Sequence, residues 1–120
     1  GQSVDTSMGF SPLTGLVMGT RSGDLDPAVI FHLIGRGYSP EAVSQLLNKE
    51  SGMRGLTGVS DMRDVRKAVD AGDERARLAC ELYAYRVKKY IGAYAAVLNG
   101  LDAVLFTGGI GENDAAMREQ

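Results

Sequence analysis

The stretch FTGGIGEN, from Phe106 to Asn113, places three glycines within four positions. It follows Leu101–Phe106, a short and largely apolar segment that predicts a buried strand of an α/β sheet. A helix is predicted to open just after the glycines, at Glu112 or Asn113. Backbone without Cβ atoms can approach a flat or charged ligand closely, and the carboxyl end of a strand is where open α/β sheets bind ligands. The stretch therefore indicates a nucleotide site.

Two named glycine motifs do not fit the stretch. The dinucleotide fingerprint counted from Gly109 requires a third glycine where Asp114 stands. A Walker loop requires lysine and then serine or threonine after the last glycine, where Glu112 and Asn113 stand. A tight strand-to-helix turn without any ligand explains the glycines equally well. The residues alone leave both interpretations open.

A second candidate for chemistry is Arg21, which lies between small residues in the loop MGTRSGD. The planar guanidinium of such an arginine can reach a carboxylate or a phosphate without obstruction. The alternative is a structural ion pair with Asp24 or Asp26. Local chemistry alone favours the ion pair.

Capping signals divide most of the remaining chain into four predicted helices. Their starts are at Asp26-Pro27, Ser39-Pro40, Ser60 or Asp61, and Asp73, and their ends are near Gly35, Asn48, Gly72 and Asn99-Gly100. The last helix is the longest, and one face carries apolar residues at a helical period. These are Ala76, Ala79, Cys80, Tyr83, Val87, Tyr90, Ile91, Tyr94, Val97 and Leu98. We expect this face to belong to the core.

Composition limits the classes of function. The 120 residues are 44% hydrophobic and 23% charged, which is typical of one globular domain with a moderate core. A net charge of −2 gives no general reason to bind nucleic acid or an anionic membrane, and no apolar run has the length of a membrane span. The single cysteine, Cys80, fits a reducing compartment, so we expect a cytoplasmic protein. Because the chain lacks an initiator methionine and stops soon after a helix begins, we expect it to be part of a longer protein.

Three long motifs, DTSMGF, MGTRSGDLDP and FTGGIGEN, resemble the acetate kinase family, which includes the propionate and butyrate kinases. The match also includes SGMRGLTGVSDMRDV and runs in order across essentially the whole chain. The resemblance implies an α/β fold, the ribonuclease H-like fold of sugar kinases, heat-shock ATPases and actin, in which two lobes close on ATP. Residues 1–120 would then be a central part of the C-terminal, nucleotide-side lobe.

The resemblance also implies roles for particular residues. Arg21 matches the arginine that contacts the carboxylate substrate and the phosphoryl group in transfer. Asp61, Met62 and Arg63 match an Asp-Phe-Arg segment that lines the adenosine pocket, with Met62 in place of the phenylalanine of some members. The family's adenosine loop matches Gly109, Ile110, Gly111, Glu112 and Asn113. In that loop the glycine backbone lies against adenosine and phosphates, and the isoleucine contacts the base.

Other functional groups of the family lie outside residues 1–120, among them a phosphate loop, a catalytic aspartate and a glutamate that helps to place Mg²⁺. We therefore expect a longer protein, here called the parent polypeptide, that uses ATP and Mg²⁺ to phosphorylate acetate or propionate reversibly as a homodimer. The isolated chain is expected to be inactive. The alternative is a non-catalytic nucleotide-binding or dimerisation module, for which the tyrosine-rich stretch Tyr83–Tyr94 could supply a contact.

Overall fold

The computed structural model describes residues 1–119, which form seven α-helices joined by irregular segments. The helices are α1 (Ala28–Gly35), α2 (Pro40–Gln45), α3 (Gly52–Thr57), α4 (Met62–Asp70), α5 (Glu74–Val97), α6 (Gly108–Asn113) and α7 (Ala115–Arg118). A π-helical turn, Leu46–Glu50, continues α2. Residues 1–27 carry no regular element and wrap against the helices through loop hydrogen bonds.

Side-chain caps begin four of the helices as the sequence predicts. Oxygens of Ser39, Asp61 and Asp73 accept backbone N–H groups in the first turns of α2, α4 and α5, at 2.8–3.1 Å. Asp26 does the same at the start of α1, where Pro27 precedes the first helical residue. Each bond satisfies a donor that the helix itself leaves free. The four predicted starts are confirmed.

One hydrophobic core joins α3, α4, α5 and α7. Its buried side chains are Met53, Met62, Val65, Ala76, Ala79, Cys80, Ala84 and Met117. The α5 members are small, which allows the neighbouring helices to lie close to its first half. Burial raises the pKa of the Cys80 thiol, so this residue acts as a small hydrophobic side chain.

The predicted apolar face of α5 is buried only along its first half. Ala76, Ala79 and Cys80 are at most 2% exposed, whereas Val97 and Leu98 are each 50% exposed. Helices α3, α4 and α7 pack against the first half, where the buried residues of the core cluster lie. Periodicity identifies the apolar face, but the position of the neighbouring helices decides how much of it is buried.

The predicted strand Leu101–Phe106 is wrong. Residues 101–106 are irregular, they form no backbone hydrogen bonds with other segments of residues 1–119, and Leu105 is 82% exposed. A strand needs a neighbour to pair its N–H and C=O groups, and the described part of the chain supplies none. The following helix begins at Gly108, earlier than the predicted Glu112 or Asn113. The sheet expected of an α/β fold is therefore absent from residues 1–119.

Helix α3 is not predicted by the sequence patterns. It contains Gly52 and Gly55 within six residues, a composition that disfavours a helix. Its Met53 is 1% exposed and belongs to the core. Burial against α4 and α5, rather than local propensity, stabilises this helix.

Candidate functional site

A cavity of about 1000 Å³ lies between the start of α4 and the helix α6. The two predicted adenosine segments line it, with Asp61, Met62 and Arg63 from one and Gly109, Ile110 and Asn113 from the other. These segments are far apart in the sequence, so their meeting is a property of the fold. Gly111 and Glu112 lie in the same helix but not among the lining residues.

Asp61 and Arg63 form an exposed ion pair at the cavity. Nε of Arg63 donates to Oδ1 of Asp61 at 3.0 Å, and its terminal nitrogen donates to Oδ2. The hydrogen bond from Arg63 lowers the pKa of Asp61 to about 2, so the carboxylate is ionised at neutral pH. The Arg63 side chain is 86% exposed. Since exposed ion pairs contribute little to stability, its guanidinium can turn towards a ligand at small cost.

The three glycine positions of α6 differ in what would prevent a larger residue there. Gly108 has a φ of +74°, in the left-handed region that favours glycine. A Cβ at Gly111 would lie 3.2 Å from the carbonyl carbon of Phe106, so this position needs a small residue for packing. Gly109 has neither constraint, because its φ is not positive and nothing lies within 4 Å of a Cβ built there. Since Gly109 lines the cavity, a side chain there would occupy cavity space.

The polar side chains of α6 turn back onto their own helix. Nδ2 of Asn113 donates to the Gly109 carbonyl at 3.0 Å, and Oε1 of Glu112 accepts the Gly108 N–H at 3.2 Å. From α7, the Arg118 guanidinium also donates to the carbonyl oxygens of Gly111 and Glu112, at 2.8 and 3.0 Å, so these bonds together hold the glycine-rich turn. Gly109 and Asn113 therefore face the cavity as one unit.

A bidentate ion pair between Arg66 and Asp114 joins the two sides of the cavity. Nε of Arg66 donates to Oδ2 of Asp114 at 3.1 Å, and Nη2 donates to Oδ1 at 3.0 Å. The side chains are 23% and 14% exposed, and the hydrogen bonds to Asp114 raise the pKa of Arg66. Sequence reasoning missed this pair, because no local pattern links residues 48 positions apart. Both residues line the cavity.

Arg21 lies in a loop whose backbone is fixed at several points. The Met18 N–H donates to the Arg21 carbonyl at 3.1 Å, the Ser22 N–H to Leu47 at 3.0 Å, and the Met53 N–H to Met18 at 2.9 Å. The Arg21 side chain takes part in none of the ion pairs within residues 1–119. Its guanidinium also forms no hydrogen bond within that range. Every buried side-chain nitrogen or oxygen there does have a hydrogen-bond partner, so the guanidinium must reach solvent. The loop thus presents an unpaired guanidinium from an ordered backbone.

The Asp24 carboxylate anchors the end of the same loop. Its Oδ1 accepts the Gly15 N–H at 2.8 Å, and its Oδ2 accepts the Tyr90 hydroxyl at 2.5 Å. This hydrogen bond raises the pKa of Tyr90 to about 12, because the carboxylate stabilises the protonated phenol. Asp26 is engaged as the cap of α1. The alternative interpretation, an ion pair of Arg21 with Asp24 or Asp26, is therefore wrong.

The Arg21 loop borders the residues of the cavity. A Cβ at Gly19 would lie 2.9 Å from the carbonyl oxygen of Ser60, the residue before Asp61. A smaller cavity of about 220 Å³ is lined by Gly19 and Ser60 together with Met62 and Ile110, which also line the larger one. Met62 is 8% exposed and forms an apolar wall between the core and both cavities. The guanidinium loop and the glycine-rich helix thus belong to one region of the molecule.

Gly52 allows α3 to pack directly on the Arg21 loop. Its φ is +61°, and a Cβ there would overlap the Met18 carbonyl oxygen and lie 2.7 Å from that of Arg21. Only glycine has both the left-handed freedom and the space that this approach requires. The position of the Arg21 backbone therefore depends on Gly52.

We expect Gly52→Ala in the parent polypeptide to lower the free energy of unfolding by about 2–4 kcal/mol, because backbone strain adds to the overlap with the loop. Gly58→Ala is the matched control. Gly58 also has a positive φ, +87°, but a Cβ there meets nothing within 4 Å. Gly58→Ala should lower the free energy of unfolding by about 1 kcal/mol, from backbone strain alone. Chemical denaturation measures both, and equal losses would show that the contact with the loop adds nothing.

Two classes of feature are not found within residues 1–119. No three histidine, cysteine, aspartate or glutamate side chains are grouped in a way that could hold a metal ion. In the same range, no helix has the length and apolar character needed to cross a membrane.

Comparison with known proteins decides the family. The family model described as the acetokinase family matches residues 1–120. The chain belongs to the acetokinase family. Among its relatives, the acetate kinase of Leifsonia xyli subsp. xyli is 60% identical over 119 residues, which cover 98% of this chain and 30% of that protein. The sequence resemblance is confirmed.

Solved structures of acetokinase-family proteins have a backbone fold similar to that of this chain. The crystal structure of Porphyromonas gingivalis acetate kinase matches with a TM-score of 0.91 and 50% identity, covering 94% of this chain and 29% of that one. The crystal structure of a propionate kinase from Francisella tularensis subsp. tularensis SCHU S4 matches with a TM-score of 0.93 and 47% identity. The match covers 98% of this chain and 31% of that one. The chain thus spans about 30% of the length of the acetokinase-family relative from Leifsonia.

Proposed function

We propose that the parent polypeptide is an ATP-dependent kinase of short-chain carboxylates, which converts acetate or propionate and ATP reversibly to the acyl phosphate and ADP. Residues 1–120 would be the nucleotide-side part of its C-terminal lobe. The observation that carries the proposal is the cavity between Asp61–Arg63 and Gly109–Asn113, with the unpaired Arg21 loop beside it. The names of its relatives, acetate kinase and propionate kinase, support the same substrate class.

The cavity suits the adenosine part of ATP. Its volume of about 1000 Å³ is at the upper end of the range for small-molecule pockets. Ile110 and Met62 offer apolar surface for a base, and the Cβ-free backbone at Gly109 allows close approach. The ionised Asp61 and the exposed Arg63 supply an acceptor and donors at the same cavity. These residues would hold the nucleoside, while Gly111 and Glu112 would support the turn from behind.

Arg21 would act on the transferred group. In the proposed reaction a carboxylate oxygen forms a bond to the γ-phosphorus of ATP, the bond from that phosphorus to the β-γ bridging oxygen breaks, and ADP leaves. Charge on the equatorial oxygens is stabilised by a fixed guanidinium. The structure leaves the Arg21 side chain unpaired and its backbone tied to α3, which is the arrangement that such a role needs.

The remaining parts of the proposal concern groups outside the chain. The phosphate loop, the catalytic aspartate and the Mg²⁺ ligand that the family resemblance implies would lie outside residues 1–120. We also propose that those further residues supply the sheet of a ribonuclease H-like lobe, that the parent polypeptide works in the cytoplasm, and that it forms a homodimer. ATP and a short-chain carboxylate would be its partners, with no nucleic acid or membrane.

Trapping of the acyl phosphate with hydroxylamine tests the proposed function. The purified parent polypeptide with ATP and Mg²⁺ should form the hydroxamate from acetate, propionate or butyrate, and a comparison of the three identifies the preferred substrate. Residues 1–120 alone should form none, because the other functional groups are missing. Absence of product from a folded parent polypeptide with all three acids would refute the kinase assignment.

A dimerisation module is the second candidate function. Residues Val97, Leu98, Leu101 and Val104 are 42–50% exposed and line an apolar groove of about 350 Å³ beside the end of α5. Light scattering gives the decisive result for this candidate. A dimer of residues 1–120 that does not bind ATP would favour it over the nucleotide-binding role.

A further inference from the structure

Helix α6 is attached to the rest of the described chain at three places. One is the Arg118 guanidinium of α7, which donates to the carbonyl oxygens of Gly111 and Glu112. Near the middle of α6, the side chain of Ile110 packs against the core cluster. Just after its end, Asp114 forms the bidentate ion pair with Arg66 of α4. The apolar contact sets how closely α6 lies against the core. The ion pair is directional, so it can also set the angle and the distance to α4.

We propose that Arg66 and Asp114 are positioning residues for the nucleoside, because their ion pair sets the spacing between the Asp61–Arg63 and Gly109–Asn113 walls of the cavity. This inference rests on the proposed function, since it concerns the same cavity and the same ligand. Neither residue was assigned a role by the sequence or by the family resemblance. Both residues line the cavity, but their polar groups are bonded to each other, so their part would be indirect, through the backbone that contacts adenosine.

The placement of the two residues supports this role. Arg66 lies four positions after Met62, so both are on one face of α4. Asp114 directly follows Asn113, which lines the cavity and holds Gly109 through its side-chain amide. A change in the length of the ion pair would therefore move the glycine wall relative to Met62. The pair is mostly shielded from solvent, at 23% and 14% exposure, which keeps it ordered.

A merely structural role is the competing explanation, because Asp114 also caps α7. Its Oδ1 accepts the Met117 N–H at 2.9 Å. Asp114→Asn keeps an oxygen that can accept this bond, but it removes the charge that holds Arg66. Arg66→Lys keeps the charge but loses the two-pronged geometry. These two variants separate the positioning of α6 from the capping of α7.

The experiment measures kcat, the KM for ATP, the KM for the carboxylate and the melting temperature of the parent polypeptide and its variants. Asp114→Asn and Arg66→Met should each raise the KM for ATP about tenfold, with kcat and the carboxylate KM within about twofold. Arg66→Lys should give an intermediate rise. The double variant should be no worse than the poorer single one, because both changes break one interaction. Arg77→Met is the control, since Arg77 pairs only with Glu74 and Glu81 among residues 1–119, on the exposed side of α5.

The outcomes separate the two proposals. A wild-type parent polypeptide that does not bind ATP overturns the proposed function and this inference with it. A wild-type kinase whose Asp114→Asn and Arg66→Lys variants keep the wild-type KM for ATP overturns this inference alone. Equal rises in both KM values, with a lower melting temperature, would assign the pair to general stability and would also overturn it. If Arg66→Met does not fold, the other two variants decide.

Discussion

Replacing Arg21 by alanine in the parent polypeptide is expected to lower kcat by about 10³-fold or more, the scale of arginine contacts to a transferred phosphoryl group. ATP affinity should stay within a few fold, because the proposed contacts are with the carboxylate and the moving phosphoryl group rather than with adenosine. The fold should be unaffected, since the Arg21 side chain forms no ion pair within the described residues and its loop is held by backbone bonds. Steady-state kinetics with an ATP-binding titration measures these effects.

Arg36→Ala is the matched control for this variant. Arg36 is an exposed arginine at the end of α1, and its side chain takes part in no ion pair within residues 1–119. Loss of a guanidinium there should change neither kcat nor ATP affinity. An Arg21→Ala variant with the wild-type kcat would remove Arg21 from the proposed chemistry.

Replacing Gly109 by valine is expected to weaken ATP binding by about two orders of magnitude, because the new side chain occupies the space that the nucleoside needs and a steric clash is not graded. The stability of the fold should change by no more than about 1 kcal/mol. This follows from the local geometry, in which φ at Gly109 is not positive and nothing lies within 4 Å of an added Cβ. The ATP dissociation constant and the melting temperature are measured on one preparation.

Gly35→Val provides the comparison for Gly109→Val. Gly35 is also helical, and an added Cβ there likewise meets nothing within 4 Å. It lies at the exposed end of α1, away from the lining residues of the cavity. Gly35→Val should match Gly109→Val in stability and differ from it in ATP affinity. Wild-type affinity in a folded Gly109→Val protein would refute the adenosine assignment of this helix.

Local signals in the sequence predict local structure well. Helix starts at Ser39, Asp61 and Asp73 are readable because a capping oxygen acts within three residues of its own position. The two candidate segments around Asp61 and Gly109 are also identified, by family motif and by glycine content. The structure brings both segments to one cavity, and their role in binding adenosine stays a prediction.

Features that depend on distant neighbours are not readable in the same way. The Arg66–Asp114 ion pair joins residues 48 positions apart, and helix α3 exists because Met53 is buried. The strand expected at Leu101–Phe106 has suitable residues but no pairing partner within residues 1–119, so its propensity has no effect. The sequence pattern also does not show why each position in α6 is a glycine. Gly111 packs on Phe106, whereas Gly109 faces open cavity space.

A crystal structure of the parent polypeptide with ADP tests the central claim most directly. The claim is that the cavity between α4 and α6 is a nucleoside site. The account predicts electron density for the adenosine between Met62 and Ile110, with the backbone of Gly109 in van der Waals contact with it. Density for the whole nucleotide at another place, with this cavity empty at saturating ADP, would contradict the account.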